Sequence, residues 1–408
     1  MAVLVSLPIL YYLGTTLGHE GRAMLEERVK EYISFIVVIA ALFVIAGGVH
    51  IGGSLSGTSG ANTALLAIGA VVANIAGTTG ASALLIRPLL RANKSRQQTA
   101  HIVVFFIFVV ANCGGLLTPL GDPPLLIGFL KGVPFQWTLQ LWPQWLAVNV
   151  ALLFVFTVVD ATIFAREEKR RPGSQLEAVL RHAPLKIEGG FNLLLLVGVL
   201  ATIVFAGKAA AAGAPWSFGI QETIIGSIAV IAFVSTPARY RQDNAFTFGP
   251  IIEVAVLFAA IFVTMSPVLE ILNQWSLGAR EIAGMKFGLH SPAQFFWATG
   301  ALSSVLDNAP TYLAFSASAA GLYQVAPHGQ FLHTLLEAGP ETGRLLAAIS
   351  SGAVFMGAMT YIGNAPNFMV RAIAEENGVK MPSFFGYVGY SLAVLIPIFV
   401  LVTVVFFR

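Results

Sequence analysis

The feature that most constrains this chain is a series of long, uninterrupted apolar runs, some of them split near the middle by glycine and proline. The continuous runs lie near 2–17, 32–51, 100–124, 144–165, 189–207, 221–236, 249–265, 346–373 and 385–407. A helix rises 1.5 Å per residue, so roughly 20 apolar residues cover the roughly 30 Å hydrocarbon core of a bilayer. A transmembrane barrel would need alternating segments of about ten residues instead. Only 11% of the 408 residues are charged, where a soluble chain carries about 25%. The expected fold class is therefore an all-α polytopic membrane protein. Its single cysteine, Cys113, allows neither an internal disulfide nor a multi-cysteine metal site. The net charge of +3 reads as basic loops beside a membrane, with no nucleic-acid partner.

Two further stretches, 60–91 and 293–320, are apolar but interrupted. Each half is too short to cross the membrane, so each stretch is expected to be a re-entrant hairpin with its tip near mid-membrane. That topology puts 14 of the 23 Lys and Arg residues on one side, Arg87, Arg91, Arg96, Arg239 and Arg371 among them. By the positive-inside rule this is the cytoplasmic side. The expected location is the inner (plasma) membrane, multi-pass, with the hydrophilic segment 166–188 as a cytoplasmic linker.

The linker separates two segments with matching punctuation. T-P-L-G-D-P-P runs from Thr118 to Pro124, and T-Y-I-G-N-A-P from Thr360 to Pro366, 242 residues later. An interrupted hairpin precedes each, with tips GTTGAS (Gly77–Ser82) and LDNAPT (Leu306–Thr311). An odd number of crossings lies between the two sets, so the segments face opposite ways. The expected organisation is a first repeat at 1–165 and an inverted second repeat at 189–408, each with a re-entrant hairpin and a discontinuous transmembrane helix. Run 189–207 has no counterpart in the first repeat, which reads as a missing N-terminal segment.

Proline inside a span removes a donor and stops the helix. In lipid the freed backbone groups survive only beside protein or a wet cavity. Half-helix ends there offer carbonyl oxygens to cations and N–H groups to anions. The polar residues predicted at membrane depth gather at these points: Thr78, Thr79, Asn112, Thr118, Asp122, Asp307, Asn308, Thr360, Asn364 and Asn367. An acid at that depth costs several kcal/mol and marks an ion path or proton relay. For Asp122 and Asp307 the alternative is helix capping, since each stands just ahead of a proline-bearing first turn. His50 reads as interfacial or packed, Glu253 as either a second coupling acid or interfacial, Cys113 as a small packing residue, and Arg87 and Arg91 as snorkelling cations.

The segments GTTGASALLIRPLLRAN (77–93), ANCGGLLTPLGDPPLLIGFLKG (111–132), SSVLDNAPTY (303–312) and YIGNAPNFMV (361–370) resemble the ion transporter superfamily. Within it they are similar to the NhaD-type sodium/proton antiporters and a related citrate-transporter group. The resemblance implies inverted repeats, a homodimer, and a transport domain that moves against a scaffold. Carboxylate-transporting relatives carry Ser-Asn-Thr at the tips and breaks. This chain has Thr78-Thr79-Gly80, Asp307-Asn308-Ala309 and Gly363-Asn364-Ala365 instead.

A cation/proton antiporter needs an acid that holds either a proton or a metal ion, and Asp122 and Asp307 supply one. Two carboxylates, with no Lys or Arg expected nearby, would repel an anion. The expected function is secondary transport, a Na⁺/H⁺ antiport by alternating access, with Na⁺ held by Asp122, Asp307, Asn308 and Asn364. Na⁺- or H⁺-coupled transport of citrate or another dicarboxylate is the alternative. No cofactor is expected beyond the transported or coupling ions, and the partners are the lipid bilayer and a small cation or carboxylate. An enzyme is not expected: intramembrane aspartyl proteases carry Gly-x-Gly-Asp, and here Pro119 takes the place of the first glycine.

Overall fold

A computed structural model of the chain describes residues 8–11, 18–54, 56–169, 183–212, 214–244, 246–279, 281–282 and 284–408. The first predicted run, 2–17, lies mostly outside the described residues. From there the chain runs through α1 (Gly18–Gly47), strand β1 (His50–Ser54), α2 (Ser59–Ala92), α3 (Ala100–Val109), a 3₁₀ turn (Cys113–Leu116), α4 (Pro123–Leu130), α5 (Phe135–Leu139), α6 (Trp142–Lys169) and strand β2 (Ala183–Glu188). It continues through α7 (Gly190–Ala211), α8 (Ile220–Ser235), α9 (Ala238–Asp243), α10 (Gly249–Ser276), α11 (Pro292–Ser303), α12 (Asn308–Leu322), α13 (Phe331–Glu337) and α14 (Thr342–Met356). A second 3₁₀ turn (Gly357–Met359), α15 (Ala365–Glu376) and α16 (Phe384–Val402), extended by one π turn, complete it. Six of the described helices are long and apolar enough to cross a membrane, and the protein is an all-α polytopic membrane protein.

By length α2 would pass for one long span, but its ends meet. Straight, its 34 residues would hold Asn62 and Asn93 about 46 Å apart. Instead the two side-chain amides bond each other reciprocally at 2.9 and 2.7 Å. The fold-back occurs at Gly77, whose φ of 76° and ψ of 157° belong to a region essentially reserved for glycine. The second predicted hairpin is α11 and α12, joined through residues 304–307.

Side-chain contacts assign the helix ends to two faces. On one face β1 pairs antiparallel with β2 (His50↔Glu188, Gly52↔Lys186). Arg91 donates to the Ile51 carbonyl, and the Gln98 N–H donates to Glu167 at 2.8 Å. This is the linker face, and it holds the open end of the first hairpin. The expected span 32–51 therefore overruns: the helix stops at Gly47, and His50 sits in a strand, bonded to Asn244 at 2.9 Å. On the far face the end of α4 meets α1 and α13 through Lys131–Glu31 and Leu332 N–H to Lys131 carbonyl at 3.1 Å. Asn273 of α10 bonds the Val325 carbonyl at 2.8 Å, beside the open end of the second hairpin. The first broken path, α3 to α4, thus crosses from linker face to far face. The second, α14 to α15, crosses the other way, since Thr342 at the start of α14 donates to the Leu336 and Gly339 carbonyls beside far-face α13 and Glu376 lies beside Arg87.

Packing follows the sequence pattern. α3 (AHIVVFFIFV) is apolar all round, which suits a helix enclosed on every side, and residues 102–109 are at most 1% exposed. It forms one core with α2, α6, α14 and α16. A second core joins α1, α7, α8 and α10 to α4 and α12. The outward faces of α7 and α8, with Leu194, Val197, Phe205, Val230 and Val234, are exposed and apolar, as lipid contact requires. α10 outruns its predicted end at 265 and bends by 46° around Pro267, where the missing N–H removes a ladder bond.

Candidate functional site

The broken helices owe their geometry to two glycine pairs. In the first, Gly121 lies so close to the Gly115 carbonyl that no Cβ would fit. In the second, a Cβ on Gly363 would come within 2.6 Å of the Gly357 carbonyl oxygen. Both pairs are six residues apart and separated by the same 242 residues as the sequence motif. The threonines match as well. Thr118 donates to the Asn74 carbonyl in the first hairpin, and Thr360 to the Ser304 carbonyl in the second. Each break is thus tied to its own hairpin by the same hydroxyl.

Asp122 sits where these elements meet. Its backbone is extended at the N-cap of α4, yet its carboxylate makes no capping bond. Pro124, at the second helical position, lacks one of the two N–H groups a cap could use. The carboxylate instead accepts from Thr78 Oγ1 at 2.6 Å, from Asn364 Nδ2 at 3.1 Å and from Asn308 Nδ2. One donor comes from each hairpin tip and one from the opposite break. Asp122 is 2% exposed, so these three bonds replace the water it gives up. The Thr78 N–H also donates to the Gly121 carbonyl at 2.8 Å, fixing the first tip on the first break.

A second layer locks the two breaks together. Asn112 donates to Asn367 Oδ1 at 2.7 Å, and Asn367 donates to the Gly357 and Thr360 carbonyls at 2.8 and 2.9 Å. Asn364 also reaches Asn112 Oδ1 at 3.2 Å. Among the described residues Asn308 Oδ1 is buried and without a hydrogen-bond partner. It leaves a bare acceptor oxygen on the amide whose other end holds Asp122.

The remaining sequence-predicted residues stand apart from this cluster. Asp307 is a helix cap: its carboxylate accepts from the Ala309 N–H at 3.0 Å, although it lines the same cavity as Asp122 and lies within its electrostatic reach. Thr79 lines the cavity wall. The cavity, about 490 Å³, runs from Thr78, Asp122, Asp307 and Asn364 along α1, α10 and α15 toward Arg87 and Glu376. It therefore leads toward the linker face. Arg87 stands at the linker-face end of this wall, ten residues along α2 from the Gly77 tip. Glu253 is also on the wall, whereas Cys113 is buried and free.

Two groups were not singled out from sequence. Asn74 clamps the first break, donating to the Gly114 carbonyl at 2.7 Å and accepting from the Leu117 N–H at 2.8 Å. At the open end of the first hairpin, Arg96 bonds Asp160 at 2.8 Å and Glu167 at 3.1 Å, and His101 bonds Asp160 at 2.8 Å, all buried. Asp160 stands inside the predicted span 144–165, a signal that was available.

No curated protein matches the chain. A family model described as "Putative citrate transport" matches residues 1–407. This polytopic chain, with its two broken helices converging on one buried acid, belongs to that family of secondary transporters.

Proposed function

We propose that the protein exchanges Na⁺ for H⁺ by alternating access, with Asp122 holding either ion in turn. The observation that carries this reading is the convergence on Asp122 of Thr78, Asn308 and Asn364, from both hairpins and the opposite break. All three are neutral donors, so no fixed positive charge competes with a cation for the carboxylate. Rotation of an asparagine amide would replace a donor by an oxygen, and Asn308 Oδ1 already lacks a donor. Carboxylate and amide oxygens suit a hard cation. A proton on Asp122 neutralises the same charge, so the two ligands exclude each other. Asn112, Asn367, Thr118 and Thr360 hold the frame, and Asp307 adds negative potential from the second tip.

The chain divides on this reading into repeats at 1–165 and 189–408 around the linker 166–188. The linker face lies in the cytoplasm of a cell whose inner (plasma) membrane holds the protein as a homodimer. A second reading, Na⁺- or H⁺-coupled citrate uptake, is favoured by the family match and by Arg87 on the cavity wall. Reconstitution in liposomes with an internal pH dye separates the two. A Na⁺ pulse alone should shift the internal pH. If the dye responds only when citrate accompanies the Na⁺ gradient, the carboxylate reading replaces the antiport.

A further inference from the structure

The half-helix that carries Asp122 also carries a buried cation at its other end. α4 is eight residues long, about 12 Å. Asp122 is its N-cap and Lys131 its C-cap. The Lys131 ammonium is 1% exposed and pairs with Glu31 of α1, itself 12% exposed. Glu31 also accepts from Arg28 at 2.8 Å. Beside this pair the Gly329 N–H donates to Glu27 of α1 at 3.1 Å. These contacts tie α1 to α4 and to Gly329 on the far face. At its other end α1 supplies Ile39, Leu42, Phe43 and Ala46 to the cavity that leads toward the linker face. One helix is therefore the wall of the entrance on one side and the bolt on the other.

We infer that the Lys131–Glu31 ion pair is the far-face gate of the transport cycle, joined to the ion site by α4. A buried pair adds little stability over apolar residues of the same size, and its best-attested use is to specify one arrangement over another. Here the arrangement specified is the one open toward the linker face. Opening to the far face has to separate Lys131 from Glu31 and hydrate both. Because α4 is a short rigid rod, displacement of Asp122 at one end moves Lys131 at the other. The gate rests on the alternating-access reading but not on the identity of the cargo.

The test reads conformation directly. Ala83, on the cavity wall, is changed to cysteine in the full-length protein in vesicles, with the buried native Cys113 left in place. A membrane-impermeant maleimide is applied to the linker face without any ion gradient. Lys131→Met and Glu31→Gln should each slow labelling by about fivefold or more as the population shifts toward the far-open state. The double variant should slow it no further than Glu31→Gln alone, since that variant already loses the Lys131 pair together with the Arg28 contact. Unchanged labelling in well-folded single variants would overturn the gate, as would fully additive effects in the double variant. If Lys131→Met fails to fold, Lys131→Arg and Glu31→Gln decide: the arginine should retain the native rate and Glu31→Gln should not, and equal rates in these two would overturn the gate. Because no Na⁺ is needed, a failed antiport assay and a failed gate give different results.

Discussion

At the scale of single residues, the two intramembrane acids look alike in sequence and differ in place. Both precede proline-bearing helix starts, but only Asp307 uses its carboxylate as a cap; that of Asp122 is turned to three side chains from other elements. Asp122→Asn should therefore reduce ion-driven proton movement to background in a liposome assay while the protein still folds. Asp307→Asn should keep exchange, because the cap survives, but with a raised apparent KM for Na⁺ in the same assay, because its negative potential is lost from the shared cavity. The sequence exposed both acids because charge is rare in apolar runs. It could not rank them, since the donors that distinguish Asp122 lie 44 to 242 residues away.

At the scale of elements, the breaks were legible because glycine and proline act locally. The repeated Thr-x-x-Gly-[Asp/Asn]-x-Pro marks where each helix must stop, and the glycine pairs show why those positions are small. Gly121→Ala should lose exchange and destabilise the protein by about 1–3 kcal/mol, the usual cost of overpacking, read as a lowered thermal midpoint in detergent. The anchor of the first hairpin was not legible. Arg96 and Asp160 are 64 residues apart, and nothing local to either predicts their meeting. Arg96→Met removes the one guanidinium shared by the buried Asp160 and Glu167 and leaves them only His101, Asn62 and the Gln98 N–H, so it should cost about 3–5 kcal/mol. A loss under about 1 kcal/mol in denaturant titration would show that water reaches the cluster.

For the whole molecule, hydropathy and punctuation were enough for the class, the hairpins and the opposed broken helices. They missed the β1–β2 pair and the true end of α1, because strand pairing with a polar linker leaves no apolar signature. A single site shared by Na⁺ and H⁺ fixes the sign of the pH dependence. Lowering the pH protonates Asp122, so the apparent KM for Na⁺ should rise, by at most about tenfold per pH unit for one competing proton, while the limiting rate at saturating Na⁺ changes less. The most direct test of the shared site needs no membrane. Purified protein in weakly buffered detergent, near the pH where the site is half-protonated, is mixed with Na⁺ and the medium pH is followed. Proton release by the parent and none by Asp122→Asn is the predicted result; equal release by both would show that Na⁺ and H⁺ do not compete at Asp122.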